Sequence, residues 1–435
     1  MKSSTARLLR APRPELALCS AGVVERIVWT LLQPAHGAAG EAMNVAVSLG
    51  NGRGFAGAYG VGHGATAHLL PPGPALGGLV YSMLAPRSVA AEAILATWSI
   101  GLAIGTYLVL FHAFAYLRIA RTVRLACLAL GLLAPAYLTV ETVDFRVWEG
   151  GLATFLAALF FYRLLATRAG VGEVTRDARR FPFGLLACAS LLFFVHPPLG
   201  LSAFVCLAVF GVVHMPWRAN VIGTATALAL LAVAVVPWTI RNEHALGAFV
   251  PLRSNAGLEL ALANNPAMAN TVDPARTLEE RLRAIHPTAD PAARRAVIRI
   301  GEVAYARQRG DEAKAWIAAH PTDAARLWLR HVRQMLLPER WMSDPRGTSF
   351  GAIRAWFVQA IGVMGLLGLV TLLLRRRGAG AIYLAIMVVL TTVLLAPFQP
   401  VTRYTYILYP SLCFLAGCVA LRSPEVSRRG APRRS

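Results

Sequence analysis

The chain has 435 residues, of which 56% are hydrophobic and only 15% are charged. Repeated long apolar runs exclude a soluble protein and indicate a polytopic membrane protein. The formal net charge of +21 does not indicate a nucleic-acid binder, because many arginines lie in short gaps between apolar runs and form no single basic face. The six cysteines lie in or beside apolar runs, which argues against a disulfide framework or a CxxC metal motif.

Apolar run lengths predict an all-α bundle of about ten transmembrane helices. The first predicted span, 16–32, contains Glu25 and Arg26. A charge there is costly in lipid, so we expect Glu25 to face the bundle interior and pair with a cation. The remaining predicted spans lie at 89–117, 125–140, 147–165, 181–195, 199–213, 221–240, 356–374, 381–397 and 404–421.

The gap between the first two spans, 33–88, is polar and glycine-rich, with room for short juxtamembrane helices. We expect Glu41–Gly50 to form a short interfacial helix. The run Pro74–Leu84 is too short to cross the membrane, so it should form a surface or re-entrant piece.

The arginines predict the orientation of the chain. Numbering the gaps alternately places most arginines of the short gaps on the side of the N-terminus, which the positive-inside rule makes cytoplasmic. Both termini are then cytoplasmic, while 33–88, 141–149 and 241–354 face outward. The predicted organisation is an N-terminal bundle (1–240), an extracytoplasmic helical segment (241–354) and C-terminal helices with a basic cytoplasmic tail (355–435).

The extracytoplasmic segment is too long for a simple connector and should be helical. Asp290 and Pro291 form a good helix start, since Asp caps and Pro suits the first helical position. One or two helices should follow until His320-Pro321. Thr322 or Asp323 should then cap a further helix.

Carboxylates in the predicted outer gaps are the candidates for a general base, because a carboxylate in a partly dry cleft can take a proton from a hydroxyl. The candidates are Glu41, Glu141, Asp144 and Glu149. The alternative for each is a solvated loop charge. For Glu149, which opens a predicted span, it is a favourable charge at a helix N-terminus.

Arginines near the outer membrane surface are the candidates for binding a lipid phosphate, because the guanidinium fork matches phosphate oxygens. Arg241 and Arg253 follow an apolar run, and Arg403 precedes the last one. The alternative is snorkelling to headgroups, and it is strongest for Arg403. Asn255, Glu259 and Tyr404 are grouped with these arginines as donor-binding candidates. No metal-ligand spacing is found, including around His63 and His68, so no metal site is predicted.

Four stretches resemble the GT-C class of membrane glycosyltransferases, which includes protein O-mannosyltransferases and the bacterial aminoarabinose transferases of lipid A (glycosyltransferase family 39 type). These stretches are EAMNVAVSLGNGRGFA with ATAHLLPPGPALGGLVY, VWEGGLATFLAALFFYRLL, PWTIRN with GAFVPLRSNAGLELALANNP, and RYTYILYPSL. Together they cover most of the chain.

The resemblance implies an isoprenyl-phosphate-linked sugar as donor, a lipid, glycan or protein acceptor, and inversion at the anomeric carbon. It implies a bacterial inner membrane, with no nucleic-acid partner and no certain cofactor, although metal dependence varies across this class. The base would be Glu41, where relatives usually carry aspartate. Either Glu41 serves, or the base comes from 141–149, or activity is lost. The alternative functions are a lipid-linked sugar transporter and a non-catalytic relative.

Overall fold

The computed structural model describes residues 13–32, 40–170, 181–343, 348–376 and 378–420. The fold is 80% helical, and its described residues form no strand apart from one β-bridge between Ala56 and Ala65. The predicted all-α class is therefore confirmed. The predicted basic tail after residue 420 and the start of the predicted outer loop, 33–39, lie outside the described residues.

The helices that precede the long polar segment are α1 Pro14–Leu32, α2 Glu41–Gly50, α3 Pro72–Met83, α4 Val89–Tyr116, α5 Arg121–Leu133, α6 Leu138–Thr142, α7 Gly150–Gly170, α8 Phe183–Val195, α9 Pro197–His214 and α10 Trp217–Leu246. Those that follow are α11 Ala256–Ala263, α12 Pro266–Asn270, α13 Pro274–Ile285, α14 Pro291–Ile300, α15 Glu302–Ala319, α16 Pro321–Leu336, α17 Arg340–Ser343, α18 Ser349–Arg376, α19 Ala379–Ala385, α20 Thr391–Leu395 and α21 Thr402–Ala416.

Among the described helices, five are long and apolar enough to cross a membrane: α4, α7, α9, α10 and α18. The pair α5 and α6 makes a sixth if it counts as one span bent by 75°. Pro135 lies at that bend, where its missing N–H interrupts the helix. Two shorter apolar stretches, Phe183–Val195 and Ala379–Leu395, add to the bundle. The protein is thus a polytopic membrane protein, and the total of about ten spans stays a prediction.

A buried ion pair ties three parts of the bundle together. Arg26 on α1 bonds Glu141 on α6 at 2.7 Å, and the two side chains are 1% and 2% exposed. Arg26 also donates to the carbonyl of Leu132 at 2.8 Å, and the Tyr406 hydroxyl on α21 donates to Glu141 at 2.8 Å. Glu25 lies 4.0 Å from Arg26. The expected cation partner of Glu25 is its own neighbour, and the more deeply buried charge is Arg26.

Residues 40–88 and 247–343, here called the loop layer, pack together at one end of the bundle. The predicted short helix Glu41–Gly50 is α2, and Pro74–Leu84 falls largely within α3, which packs on α2. Small residues permit this contact: a Cβ on Gly50 would lie 2.4 Å from Tyr81, and one on Gly78 would lie 2.4 Å from Leu49.

The distal helices begin close to the predicted positions. Asp290 accepts hydrogen bonds from the N–H groups of Ala292 and Ala293 and caps α14, as predicted. Gly301, at φ +88°, separates α14 from α15, a backbone conformation that favours glycine. Helix α16 begins at Pro321, one residue before the predicted cap, and the side chain of His320, which precedes it, does not cap the helix.

Candidate active site

A polar cavity of about 290 Å³ lies where the loop layer meets the start of α21. Its walls come from helices α2, α11 and α13 and from the start of α21. The segment after the β-bridge and the residue just before Glu149 complete them. The polar and charged residues that line it are Glu41, His68, Arg253, Asn255, Glu259, His286, Thr288, Gln399, Arg403 and Tyr404. Residues from opposite ends of the sequence therefore form one site, and much of the predicted donor-binding group is in it.

Glu41 lies in a cluster with two histidines. The Nε2 atom of His286 is 3.6 Å from the Glu41 carboxylate, and one ligand atom each from Glu41, His68 and His286 lies within 4.8 Å of the others. The Nδ1 atom of each histidine is hydrogen-bonded to a hydroxyl group. The Tyr59 hydroxyl lies 2.9 Å from Nδ1 of His68, and the Thr288 hydroxyl lies 2.6 Å from Nδ1 of His286. This outer layer of partners is typical of metal-ligating histidines.

The charge states of the cluster suit a cation. Burial lowers the pKa of His68 to about 3 and also lowers the pKa of His286, so both rings are neutral near pH 7. Burial raises the pKa of Glu41, but the charge that His68 and His286 carry when protonated at acidic pH, a backbone hydrogen bond and Arg403 outweigh it and leave that pKa below its usual value. A carboxylate with two neutral imidazoles is a donor set for zinc or a similar divalent ion. Sequence analysis missed this cluster because positions 41, 68 and 286 have no local spacing.

Two arginines in the polar cavity differ in what balances their charge. Arg253 bonds Glu149 at 2.5 Å. Arg403 forms no ion pair with any carboxylate of the described residues, and its guanidinium lies 4.0 Å from the centre of the Trp148 ring. Arg403 was predicted to bind the donor, with snorkelling as the alternative, and it lines the cavity. It is the cation best placed to take an anionic ligand.

Glu149 holds Arg253 in place. Burial raises the pKa of Glu149, but the neighbouring Arg253 outweighs that effect and lowers the pKa overall. An ionised Glu149 directs the Arg253 guanidinium while sharing its charge. The other members of the predicted 141–149 cluster do not line the polar cavity: Glu141 is bonded to Arg26, and Asp144 lies in a short 3₁₀ helix, Asp144–Arg146.

Arg241 also lies away from the polar cavity. Its guanidinium donates to the carbonyl of Thr66 at 2.6 Å and to that of Phe55 at 2.5 Å, and it packs over the rings of Phe55 and Trp238. These contacts join the loop around the β-bridge to the end of α10. Arg241 therefore supports that loop and does not line the polar cavity, and its phosphate-binding role stays a prediction.

Glu259 is the second carboxylate that lines the polar cavity. Its side chain accepts a hydrogen bond of 3.4 Å from the Asn255 amide and forms no ion pair within the described residues. Burial raises the pKa of Glu259 to about 7, helped by the charge of Glu41 and opposed by Arg403 and Arg253.

Glu302 fixes the segment that carries His68, and sequence analysis did not single it out. Its carboxylate accepts from the Thr66 hydroxyl at 2.5 Å, from the Ala67 N–H at 2.9 Å and from the Ser254 hydroxyl. The Ser254 N–H donates to the carbonyl of Ala67 at 2.9 Å. These bonds hold the segments of His68 and Arg253 together.

The fold is similar to that of a GT-C type membrane glycosyltransferase. No family model and no curated protein matches the sequence. Two solved structures are similar, both of the oligosaccharyltransferase AglB from the archaeon Archaeoglobus fulgidus. One is a complex with an inhibitory peptide and a dolichol-phosphate, with a TM-score of 0.52 and 11% identity over 93% of this chain. The other is the apo form, with a TM-score of 0.52 and 13% identity over 93% of this chain. This chain spans 50% of the length of each. At such identity the likeness shows the fold alone.

Proposed function

We propose that this protein is a membrane glycosyltransferase that moves a sugar from an isoprenyl-phosphate-linked donor to an acceptor hydroxyl, with inversion at the anomeric carbon. One observation carries the proposal: within a GT-C fold, the polar cavity contains Arg403, which forms no ion pair within the described residues, together with the Glu41 cluster. A free cation beside a carboxylate suits a reaction in which an anionic group leaves and a hydroxyl attacks.

The donor phosphate binds between Arg403 and Arg253. Arg403 supplies a positive charge that no ion pair within the described residues occupies, and Arg253 supplies a second guanidinium that Glu149 orients. Preorganised cations in a dry site stabilise the negative charge that develops on the leaving phosphate. Asn255 and Tyr404 line the same cavity and can bond donor oxygens. The dolichol-phosphate bound to the AglB neighbour supports a lipid phosphate as ligand of this fold.

The acceptor hydroxyl meets the other side of the donor sugar, next to Glu41. The donor set of Glu41, His68 and His286 fits a divalent cation, which would supply Lewis-acid polarisation of a bound oxygen. The residues themselves position that oxygen, and Tyr59 and Thr288 keep the two rings oriented. Three classes of acceptor fit this chemistry: a lipid, a glycan or a protein.

We further propose that the polar cavity faces outward from a bacterial inner membrane and that both termini are cytoplasmic. The alternation of arginine-rich and arginine-poor gaps supports this orientation. A cysteine at the exposed position Val272, introduced as Val272→Cys, should react with an impermeant thiol reagent in intact cells. Labelling only after lysis would overturn the orientation.

The test of the activity is transfer of radiolabelled sugar from a panel of prenyl-phosphate donors, with purified protein in liposomes and membrane extract as acceptor source. Wild type should transfer label, and Arg403→Ala and Glu41→Gln should lose most of it. The control is Glu243→Gln, an exposed outer carboxylate away from the cavity, which should match wild type. Absence of transfer by wild type across the panel would overturn the proposal.

A further inference from the structure

We infer that Glu259, on α11, is the group that takes the proton of the attacking acceptor hydroxyl. Glu41 instead acts as a ligand group together with His68 and His286. This inference rests on the proposed function and deepens it. It assigns the proton-transfer step to a carboxylate for which the sequence suggested only donor contact.

The proton acceptor must be a carboxylate that the reactants can touch. Among the residues that line the polar cavity, Glu41 and Glu259 are the carboxylates. Glu149 is bonded to Arg253, Glu141 to Arg26, and Glu302 to three donors of the loop layer. A carboxylate whose lone pairs are already occupied in this way is a poor proton acceptor. The choice is between the two that line the cavity.

Glu41 and Glu259 differ in their neighbours. Glu41 faces Nε2 of His286 at 3.6 Å and shares its cluster with His68, so its oxygens are directed at a group of ligand atoms. Glu259 receives one long hydrogen bond, 3.4 Å from Asn255, and no cation of the described residues pairs with it. Most of its acceptor capacity is open to a molecule in the cavity.

The backbone under Glu259 is held firmly, as a proton-transfer group requires. Helix α11 packs directly on α15: a Cβ on Gly257 would lie only 2.1 Å from the carbonyl oxygen of Ala306. Leu258 and Ala261 on the same helix are buried. The carboxylate therefore projects into the cavity from a fixed point.

Proton transfer to Glu259 accompanies formation of the glycosidic bond. The acceptor O–H bond breaks and its proton passes to a Glu259 oxygen. The electron pair of that bond stays on the acceptor oxygen, which forms the new bond to the anomeric carbon. The bond between that carbon and the phosphate oxygen breaks, and its electron pair leaves with the phosphate, whose charge Arg403 and Arg253 balance. Glu259 returns its proton to water after the product leaves.

The test uses the full-length protein in liposomes with a prenyl-phosphate sugar donor that wild type uses. Glu259→Gln keeps the side-chain volume and should lower kcat about 10²–10⁴-fold, the usual contribution of a general base. Its KM for the donor should stay near the wild-type value, because the phosphate-binding arginines are intact. Glu259→Asp, which retains a carboxylate, should keep part of the activity.

A second measurement separates proton transfer from a structural role. Glu259→Ala leaves space for a small carboxylate, so added formate should raise its transfer rate at least tenfold, or about 1.4 kcal/mol in activation free energy. Formate should not change the rate of Arg403→Ala or of Glu243→Gln.

The outcomes are distinct. Transfer by Glu259→Gln at the wild-type rate would overturn this inference and leave the proposed function standing. An inactive Glu259→Ala that formate does not restore, in protein that still binds prenyl phosphate as wild type does, would also overturn it. Absence of transfer by wild type would overturn both the inference and the proposed function.

Discussion

Two groups of buried charges in this protein contrast sharply. In the bundle, Arg26, Glu141 and Tyr406 satisfy one another, and the Arg26–Glu141 bond of 2.7 Å joins side chains that are almost fully buried. In the polar cavity, Arg403 packs on the Trp148 ring and Glu259 accepts one hydrogen bond from the Asn255 amide, and neither forms an ion pair within the part of the chain that the structure describes. The first group is closed to further ligands, whereas the second is open to them.

The difference shows how location and pairing together separate structural charges from functional ones. A charge deep among membrane helices is tolerated when a partner neutralises it, and it then ties helices together. A charge at the edge of the bundle with no partner retains its capacity to bind a substrate. Substitutions on either side of this contrast should therefore differ in what they damage, the protein's stability or its activity.

Removing one partner of the bundle pair should unfold the protein most readily. Arg26→Ala leaves Glu141 buried without its cation, and loss of one partner of a buried pair costs about 3–5 kcal/mol. We expect poor yield and a much lower melting temperature in detergent. The matched control is the double variant Arg26→Met with Glu141→Leu, which should recover most of the loss. Equal stability of Arg26→Ala and wild type would contradict the structural role.

Removing the open cation should abolish activity without unfolding the protein. Arg403→Ala should lower transfer about 10²–10³-fold, the range for losing one charge-stabilising group. Its melting temperature should stay near wild type, because Arg403 bonds no carboxylate of the described residues. Arg403→Lys should retain part of the activity, since lysine supplies the positive charge but cannot donate two parallel hydrogen bonds as a guanidinium does. A large loss of stability in Arg403→Ala would place this arginine in the structural group.

The zinc affinity of the histidine cluster should fall when a hydroxyl partner of one of its rings is removed. Tyr59→Phe removes the contact with Nδ1 of His68, and loss of such a partner weakens metal binding about 10–100-fold. Titration of purified protein with Zn²⁺ in a calorimeter measures this directly. Tyr116→Phe, on α4 and remote from the cluster, is the control. Identical zinc affinity in Tyr59→Phe and wild type would remove the case for an ordered metal site.

Substitution of Arg241 should have the smallest effect on activity. Arg241→Met removes two hydrogen bonds to the loop around Phe55 and Thr66, each worth about 1 kcal/mol net. The loop should become more sensitive to limited proteolysis, while the KM for the donor changes little. A donor KM raised more than tenfold with normal proteolysis would restore the phosphate-binding role expected from the sequence.

Much of the architecture could be predicted from local signals. Asp290-Pro291 marks the start of α14 because capping and proline chemistry act within a few residues. The positions of α4 and α10 follow from apolar run length. The convergence of Glu41, Arg253 and Arg403 follows from counting alternate gaps, since gaps on one side of a membrane share a surface.

The partners of these residues could not be predicted in the same way. Arg26 and Glu141 lie on helices far apart in the sequence, and which of Glu25 or Arg26 is buried depends on the rotation of α1. His286 reaches Glu41 only because α13 packs beside α11, a tertiary contact with no short-range signal. Arg241 and Arg403 carry the same side chain near the same surface. Only packing shows that one bonds loop carbonyls and the other lines the cavity.

The most direct measurement is equilibrium binding of prenyl phosphate to purified wild type, Arg403→Ala and the Arg26→Met, Glu141→Leu double variant. The open charge of the cavity should account for phosphate affinity, so Arg403→Ala should bind at least about tenfold more weakly, a loss of about 1.4 kcal/mol. The double variant should bind as wild type does. Equal binding by Arg403→Ala and wild type would contradict the assignment of the cavity as the donor site.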